Sequence, residues 1–312
     1  MKIANRGSRL SISADIVALL RWDAPGSTPD QAYVRLRQNP AYPLAARAFA
    51  QNMLSQATAD RAIDGILKDA GRNVAAKCLA YLHVTGGLTL PRLKALCESI
   101  GFISPGRVRA LLLYLRYLGY AEPTASIDRT APRLYLPTQR FLTAWRVHTR
   151  GILQATAVAE PAVSLVLDAL DSPGVFDIFV RNVSEGYLEG LRSVDVESPF
   201  FTIFMHRYAG AQIVHAMVTA STDGFPPQEP LGLTASGAAQ RFAVSRAHVR
   251  RMLSAAQREG MLRLTGDGAI ILERVGRDAI DHIYAAQLII FLVAAARTLN
   301  ALPELIDHRA VA

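Results

Sequence analysis

Cysteine is scarce in this chain. Cys78 and Cys97 are the only two in 312 residues, with no CxxC or Cys/His spacing, which excludes a disulfide framework or a zinc knuckle and points to a reducing compartment. Charged residues make up 19% and aromatics 7%, while 51% are hydrophobic, so the composition excludes disorder. No Gly-rich phosphate loop, Ser/His/Asp arrangement or metal-spaced cluster is present, and no enzyme chemistry, cofactor or metal is expected. His206 and His215 lie too far apart for a local ligand pair and read as interfacial or partly buried. Asp168 and Asp171, at helical spacing, read as a solvated helix end. The start, MKIANRGSRL, lacks the apolar core of a signal peptide. The most apolar run, Tyr284 to Ala296, is interrupted by Gln287 and is too short to span a bilayer. It reads as a buried helix, and a cytoplasmic protein without membrane contact is expected.

Acidic residues are in deficit, 26 against 34 Lys and Arg, for a net charge of +8. The imbalance is segregated. Residues 72–150 hold 12 basic and 3 acidic residues, and residues 231–280 hold 8 and 4. Residues 151–230 reverse the sign, with 3 basic and 10 acidic. Two basic blocks flanking an acidic helical segment suit an anionic partner better than a uniformly solvated surface does.

The stretch from Thr234 to Gly260, TASGAAQRFAVSRAHVRRMLSAAQREG, reads as a helix-turn-helix. Thr234 caps a short helix with Ala238, Ala239 and Phe242 on one face, and Ala243-Val244 turns the chain. Ser245 caps a second helix with an apolar seam of Val249, Met252, Leu253 and Ala256, which Gly260 ends. Arg246, His248, Arg250, Arg251 and Arg258 face outward, as major-groove docking requires. Met261–Leu264, a turn at Thr265–Gly268 and Ala269–Leu272 read as a hairpin wing.

The pattern recurs upstream. Ser104 is expected to cap a helix with Pro105 at its first position and a seam of Val108, Leu111, Leu112, Leu115 and Leu118. Ser104 to Gly119 and Ser245 to Gly260 both span 15 positions. Val108 matches Val249, Leu112 matches Leu253 and Tyr120 matches Met261. The wing strands here are Tyr120–Glu122 and Arg133–Leu136. The turn before the recognition helix reads as four residues longer in this first unit. Candidate helices elsewhere are Ser13–Trp22, Pro29–Arg37, Tyr42–Leu67, Val74–Val84, Phe141–Gln154, Pro161–Leu170, Val175–Arg192, Pro199–Thr222 and Arg277–Leu299. The expected fold is mostly α, with two winged helix-turn-helix units in a pseudo-dimer arrangement. It divides into an N-terminal helical segment (1–71), a first unit (72–150), a helical connecting segment (151–230), a second winged helix (231–280) and a C-terminal helix (281–312).

The run AAQRFAVSRAHVRRMLSAAQREGMLRL followed by IILERVGRDAI resembles the MarR-type winged-helix transcription regulators, with Gly276-Arg277 where their post-wing helix starts. Residues around SPGRVRALLLYLRYLGY look like a diverged second copy. The resemblance implies double-stranded DNA as partner, a chain acting as a monomeric pseudo-dimer or as a homodimer, and a small effector bound between helical and DNA-binding layers. The residues expected to touch DNA are Arg107 and Arg109 in the first unit, and Arg246, His248 and Arg250 in the second. Ser104 and Ser245 serve as caps or phosphate ligands, Arg129 and Arg133 act at the first wing, and Arg251 and Arg258 touch phosphate or solvent. Two alternatives stand beside a transcription regulator: a plasmid-type replication initiator or partition protein, and a winged-helix scaffold that binds protein.

Overall fold

Side-chain caps cut this chain into helices. The computed structural model describes residues 14–101, 103–124, 130–193, 195, 197–221 and 224–302. Helix α1 (14–20) runs into a 3-10 turn at Arg21–Asp23. Thr28 opens α2 (Pro29–Gln38) through a reciprocal capping box with Gln31. The single helix expected from Tyr42 to Leu67 is in fact two, α3 (Tyr42–Ala59) and α4 (Arg61–Leu67). The Asp60 carboxylate divides them by accepting the Ala62 and Ile63 N–H groups at 2.7 and 3.4 Å, so a local cap overrides continuous helical periodicity. Asp69 caps α5 (Ala70–Val84), which therefore starts ahead of the expected Val74.

The first helix–helix–hairpin segment consists of β1 (Leu88–Thr89), α6 (Leu90–Ile100), α7 (Pro105–Tyr117), β2 (Ala121–Pro123) and β3 (Leu134–Pro137). Its strands pair antiparallel in the order β1-β3-β2. Helix α8 (Gln139–Ala159) follows, capped by Thr138, then a 3-10 turn at Pro161–Val163, α9 (Ser164–Asp168) and α10 (Val175–Ser193).

A second correction falls between 199 and 222. The continuous helix expected there is a π-helical turn at Phe201–Met205, a reversal at Ala209 (φ 60°), and α11 (Gly210–Ala220). Gly210 crosses the Phe204 carbonyl so closely that a Cβ would lie 1.9 Å from its oxygen. The second segment then runs through α12 (Ala235–Arg241), α13 (Arg246–Arg258), β4 (Leu262–Leu264), β5 (Ile270–Leu272) and α14 (Arg274–Ala301). β4 and β5 pair antiparallel, and Leu231 bridges to Ile270 on β5. In both segments, therefore, residues ahead of the helix pair bond to the returning strand.

The long helices bind the halves by reciprocal exchange. α3 packs along α8 and α10 along α14, while α11 lies on α3 and α5 lies on α10. Each half thus supplies a helix to the other. Lys68 and Ala209 join across this junction, with the Ala209 N–H donating to the Lys68 carbonyl at 2.7 Å. Helix α14 is the axis of the core. Tyr284, Leu288, Leu292, Ala295 and Leu299, spaced three or four apart, are at most 1% exposed, and each buried leucine contributes about 1.5–3 kcal/mol. Asp281 anchors the same helix, accepting from Tyr42 Oη at 2.7 Å and from the Arg37 guanidinium. By length and composition α14 could cross a membrane, but 56% of its most apolar window is buried within the protein. The expectation that this run is too short to span a bilayer is thus corrected, because it belongs to a longer apolar helix, while the reading of Tyr284–Ala296 as a buried helix agrees with that burial. The chain is mostly helical with little sheet.

Candidate nucleic-acid interface

The geometry around α13 follows from four backbone devices. Thr234 Oγ1 accepts the Gly237 N–H at 3.1 Å and starts α12. Ala243 takes up a left-handed conformation, φ 52°, which costs an L-residue about 1–2 kcal/mol and reverses the chain within one residue. Ser245 Oγ then accepts the His248 N–H at 3.1 Å, and Gly260 (φ 65°) ends the helix. Val249, Met252, Leu253 and Ala256 are buried as expected. Outward stand Arg246, Arg250, Arg251 and Arg258, all exposed. No carboxylate lies within ion-pair distance of these four among the described residues. Three of the four guanidiniums occupy the first two turns, where the helix dipole adds further positive potential. That end of α13 is a region of positive potential.

His248 departs from its expected outward role. Its Nε2–H donates to the Tyr208 carbonyl at 2.9 Å, which fixes the tautomer and braces the helix against the reversal before α11. The hairpin tip contributes no cation. Asp267 there is held below the usual carboxylate range by the Thr265 hydroxyl and then by the Ala269 N–H. It stays ionised, and a deep approach of this tip to DNA is unfavourable.

The first segment has the same plan with a different surface. The turn between its helices spans 101–104 and that of the second spans 242–245, four residues each. The turn is therefore not longer in the first segment. The four-residue difference lies in the preceding helix, 11 residues in α6 against 7 in α12. Helices α7 and α13 have 13 residues each. Ser104 sits at the N-cap position with extended backbone, but its side chain makes no capping bond, which corrects the expectation that it caps. Arg107 is also differently employed, since its guanidinium binds both Asp69 oxygens at 2.9 Å. Arg109 is exposed, with no partner among the described residues, and Arg133 is exposed just ahead of β3. Arg129 lies outside the described residues. Beyond Arg109 the outer face of α7 combines exposed apolar residues, Leu113 at 50% and Tyr117 at 84%, with the exposed Arg116. The outer faces of the two helices are unequal, that of α13 cationic and that of α7 mixed.

A polar bridge connects them. Arg72 stacks on Tyr114 of α7 at 4.1 Å and approaches the Tyr208 ring at 5.8 Å, while its Nη1 donates to the Gly65 carbonyl (3.1 Å) and Tyr114 Oη (3.2 Å). Asp69 holds α7 through Arg107, and Tyr208 holds α13 through His248. Sequence reasoning missed Asp69, Arg72 and Tyr208. Asp69 carried a signal, as an acid immediately ahead of a helical run, but Tyr208 carried none.

Among the described residues no group of three His, Cys, Asp or Glu could hold a metal ion. No protein-family model, curated protein or solved structure matches this chain.

Proposed function

We propose that this protein is a sequence-specific double-stranded DNA-binding regulator of transcription, built from two winged helix-turn-helix units and reading DNA chiefly with α13. The observation that carries this reading is the unpaired, exposed set Arg246, Arg250 and Arg251 on the leading turns of a capped helix that follows a tight turn and precedes a hairpin. With Arg258 they make four cations on one helix without a carboxylate partner among the described residues; these repel one another, and a row of phosphates and guanine edges relieves that repulsion. Arg109 supplies the corresponding contact from α7, and Arg133 a backbone contact beside the first hairpin. The pseudo-dimer reading adds that one chain presents two unequal readers.

The test is selection from a random-duplex library with the full chain at two salt concentrations, followed by anisotropy on the recovered sequences. One enriched site with two unequal halves, bound less tightly as salt rises, supports a regulator. Recovery of iterated copies points instead to the replication-initiator reading, and no binding at low salt refutes DNA recognition. The protein-scaffold alternative is favoured by one specific feature, the exposed Leu113 and Tyr117 on α7.

A further inference from the structure

Where the two halves exchange helices they line a partly open cavity of about 220 Å³, larger than the roughly 150 Å³ of an apolar cavity that takes up benzene. Helices α3, α5, α8, α10, α11 and α14 all contribute to its wall. Most of the lining is apolar, including Phe49, Met53, Ile152 and Met205. No Asp or Glu is among the lining residues, yet two lysines are. Lys68 is neutralised by Asp64 at 2.5 Å. Among the described residues Lys77 has no carboxylate partner, and its Nζ lies over the faces of Tyr187 at 3.8 Å and Trp145 at 5.7 Å. Two lining amide oxygens, Asn73 Oδ1 and Gln212 Oε1, are buried without a hydrogen-bond partner among the described residues; as acceptors they take an N–H or O–H and do not bind a carboxylate.

A lone ammonium in an apolar chamber is costly. Two ring faces offset part of that cost, but it is removed more fully by an anion that enters with an apolar body to fill the remaining space. We propose that this interhelical cavity is a binding site for one small amphipathic carboxylic acid per chain, with the carboxylate on Lys77 Nζ and the hydrocarbon or aryl portion against Phe49, Met53 and Met205. Burial brings the Lys77 ammonium down from its ordinary range to about 7, as expected of a cation awaiting a counter-ion. The site lies between the helical halves, away from the outer faces of α7 and α13, and does not rest on the DNA-binding reading.

The experiment uses the full chain without DNA. 3-Phenylpropionate and 4-phenylbutyrate are titrated beside their neutral primary amides, with thermal denaturation and tryptophan fluorescence as readouts, since Trp145 lies next to Lys77. The acids should stabilise the protein saturably and change the fluorescence, with the amides at least tenfold weaker. Lys77→Met, of similar volume, should abolish the preference for acid over amide, and Lys77→Gln serves the same purpose if the methionine variant does not fold. Ala211→Leu, which fills the cavity, should weaken all four compounds. Equal binding of acid and amide to the wild-type protein, an undiminished acid preference in the Lys77 variants, or no binding by either acid would overturn the proposal.

Discussion

Asp69 serves two helices at once. One of its carboxylate oxygens accepts the Arg72 N–H at 2.9 Å and so caps α5, and both oxygens hold the Arg107 guanidinium of α7 at 2.9 Å. The ion pair is a partly exposed one, worth about 0.2–1 kcal/mol, whereas losing the cap costs about 1 kcal/mol. Asp69→Asn keeps a capping oxygen and releases Arg107. Its stability in urea should change by less than about 1 kcal/mol. Its DNA affinity should rise at low salt, with the slope of log K against log salt steeper by about one unit. An unchanged slope would show that Arg107 never reaches phosphate.

The two serines at matching positions make an internal control. Ser245→Ala removes a bond to the His248 N–H and should cost about 1 kcal/mol in chemical denaturation. Ser104→Ala removes no such bond and should be close to neutral. Equal losses would contradict the difference in capping.

On α13, Arg246→Ala and Arg250→Ala should each weaken binding to an enriched duplex by about 1–3 kcal/mol if they read bases. Arg258→Ala, at the far end of the helix, should act uniformly on all sequences. Competition between the enriched duplex and a scrambled one separates the two effects.

Buried bases set the acid limb of stability. Desolvation lowers His148 to about 3 and His215 to about 4, below the ordinary histidine value near 6.5. Between these values the unfolded chain binds more protons than the folded one, so stability falls as pH drops below about 6.5. Lys77 acts in the same sense at higher pH. Its ammonium is lowered by burial to about 7, so stability rises with pH from about 7 toward 10. Facing it are Tyr187, Trp145, His148 and the Cys78 thiol. Lys77→Met should therefore gain about 1–3 kcal/mol over wild type at pH 6, and less at pH 10. Urea denaturation across this pH range provides the check, and a constant difference would remove Lys77 from the account.

Gly276 tests the packing under the second hairpin. A Cβ there would lie 2.2 Å from the Met261 carbonyl oxygen, so Gly276→Ala should lower stability by several kcal/mol. Gly106→Ala, which meets nothing within 4 Å, should stabilise α7 by roughly 0.5–1 kcal/mol.

The features of the site that depend on near neighbours were legible in the sequence. Ser245 before RAHV, the seam Val249–Met252–Leu253–Ala256 and Gly260 lie within one helix and its caps, where periodicity and backbone preference decide. The hairpin after Met261 and the burial of Tyr284–Ala296 were readable for the same reason. Ser104 had the right residue in the right place, but a cap also needs a hydroxyl turned toward an N–H, and that orientation is not encoded by position.

The rest was decided by segments that meet only in three dimensions. Asp60 and Ala209 break helices whose apolar periodicity runs on without interruption, the first by its cap and the second because Gly210 must pass the Phe204 carbonyl. Arg107 looked like a free cation until Asp69, 38 positions away, was brought beside it. Lys77 is placed inside only by the exchange of α5 and α11 between the halves. The sequence determined the helices and the cationic face of α13, because those arise from contacts a few residues apart. Only the tertiary structure decided which charges remain free and which are enclosed, because charge pairing and desolvation depend on neighbours far away in the chain.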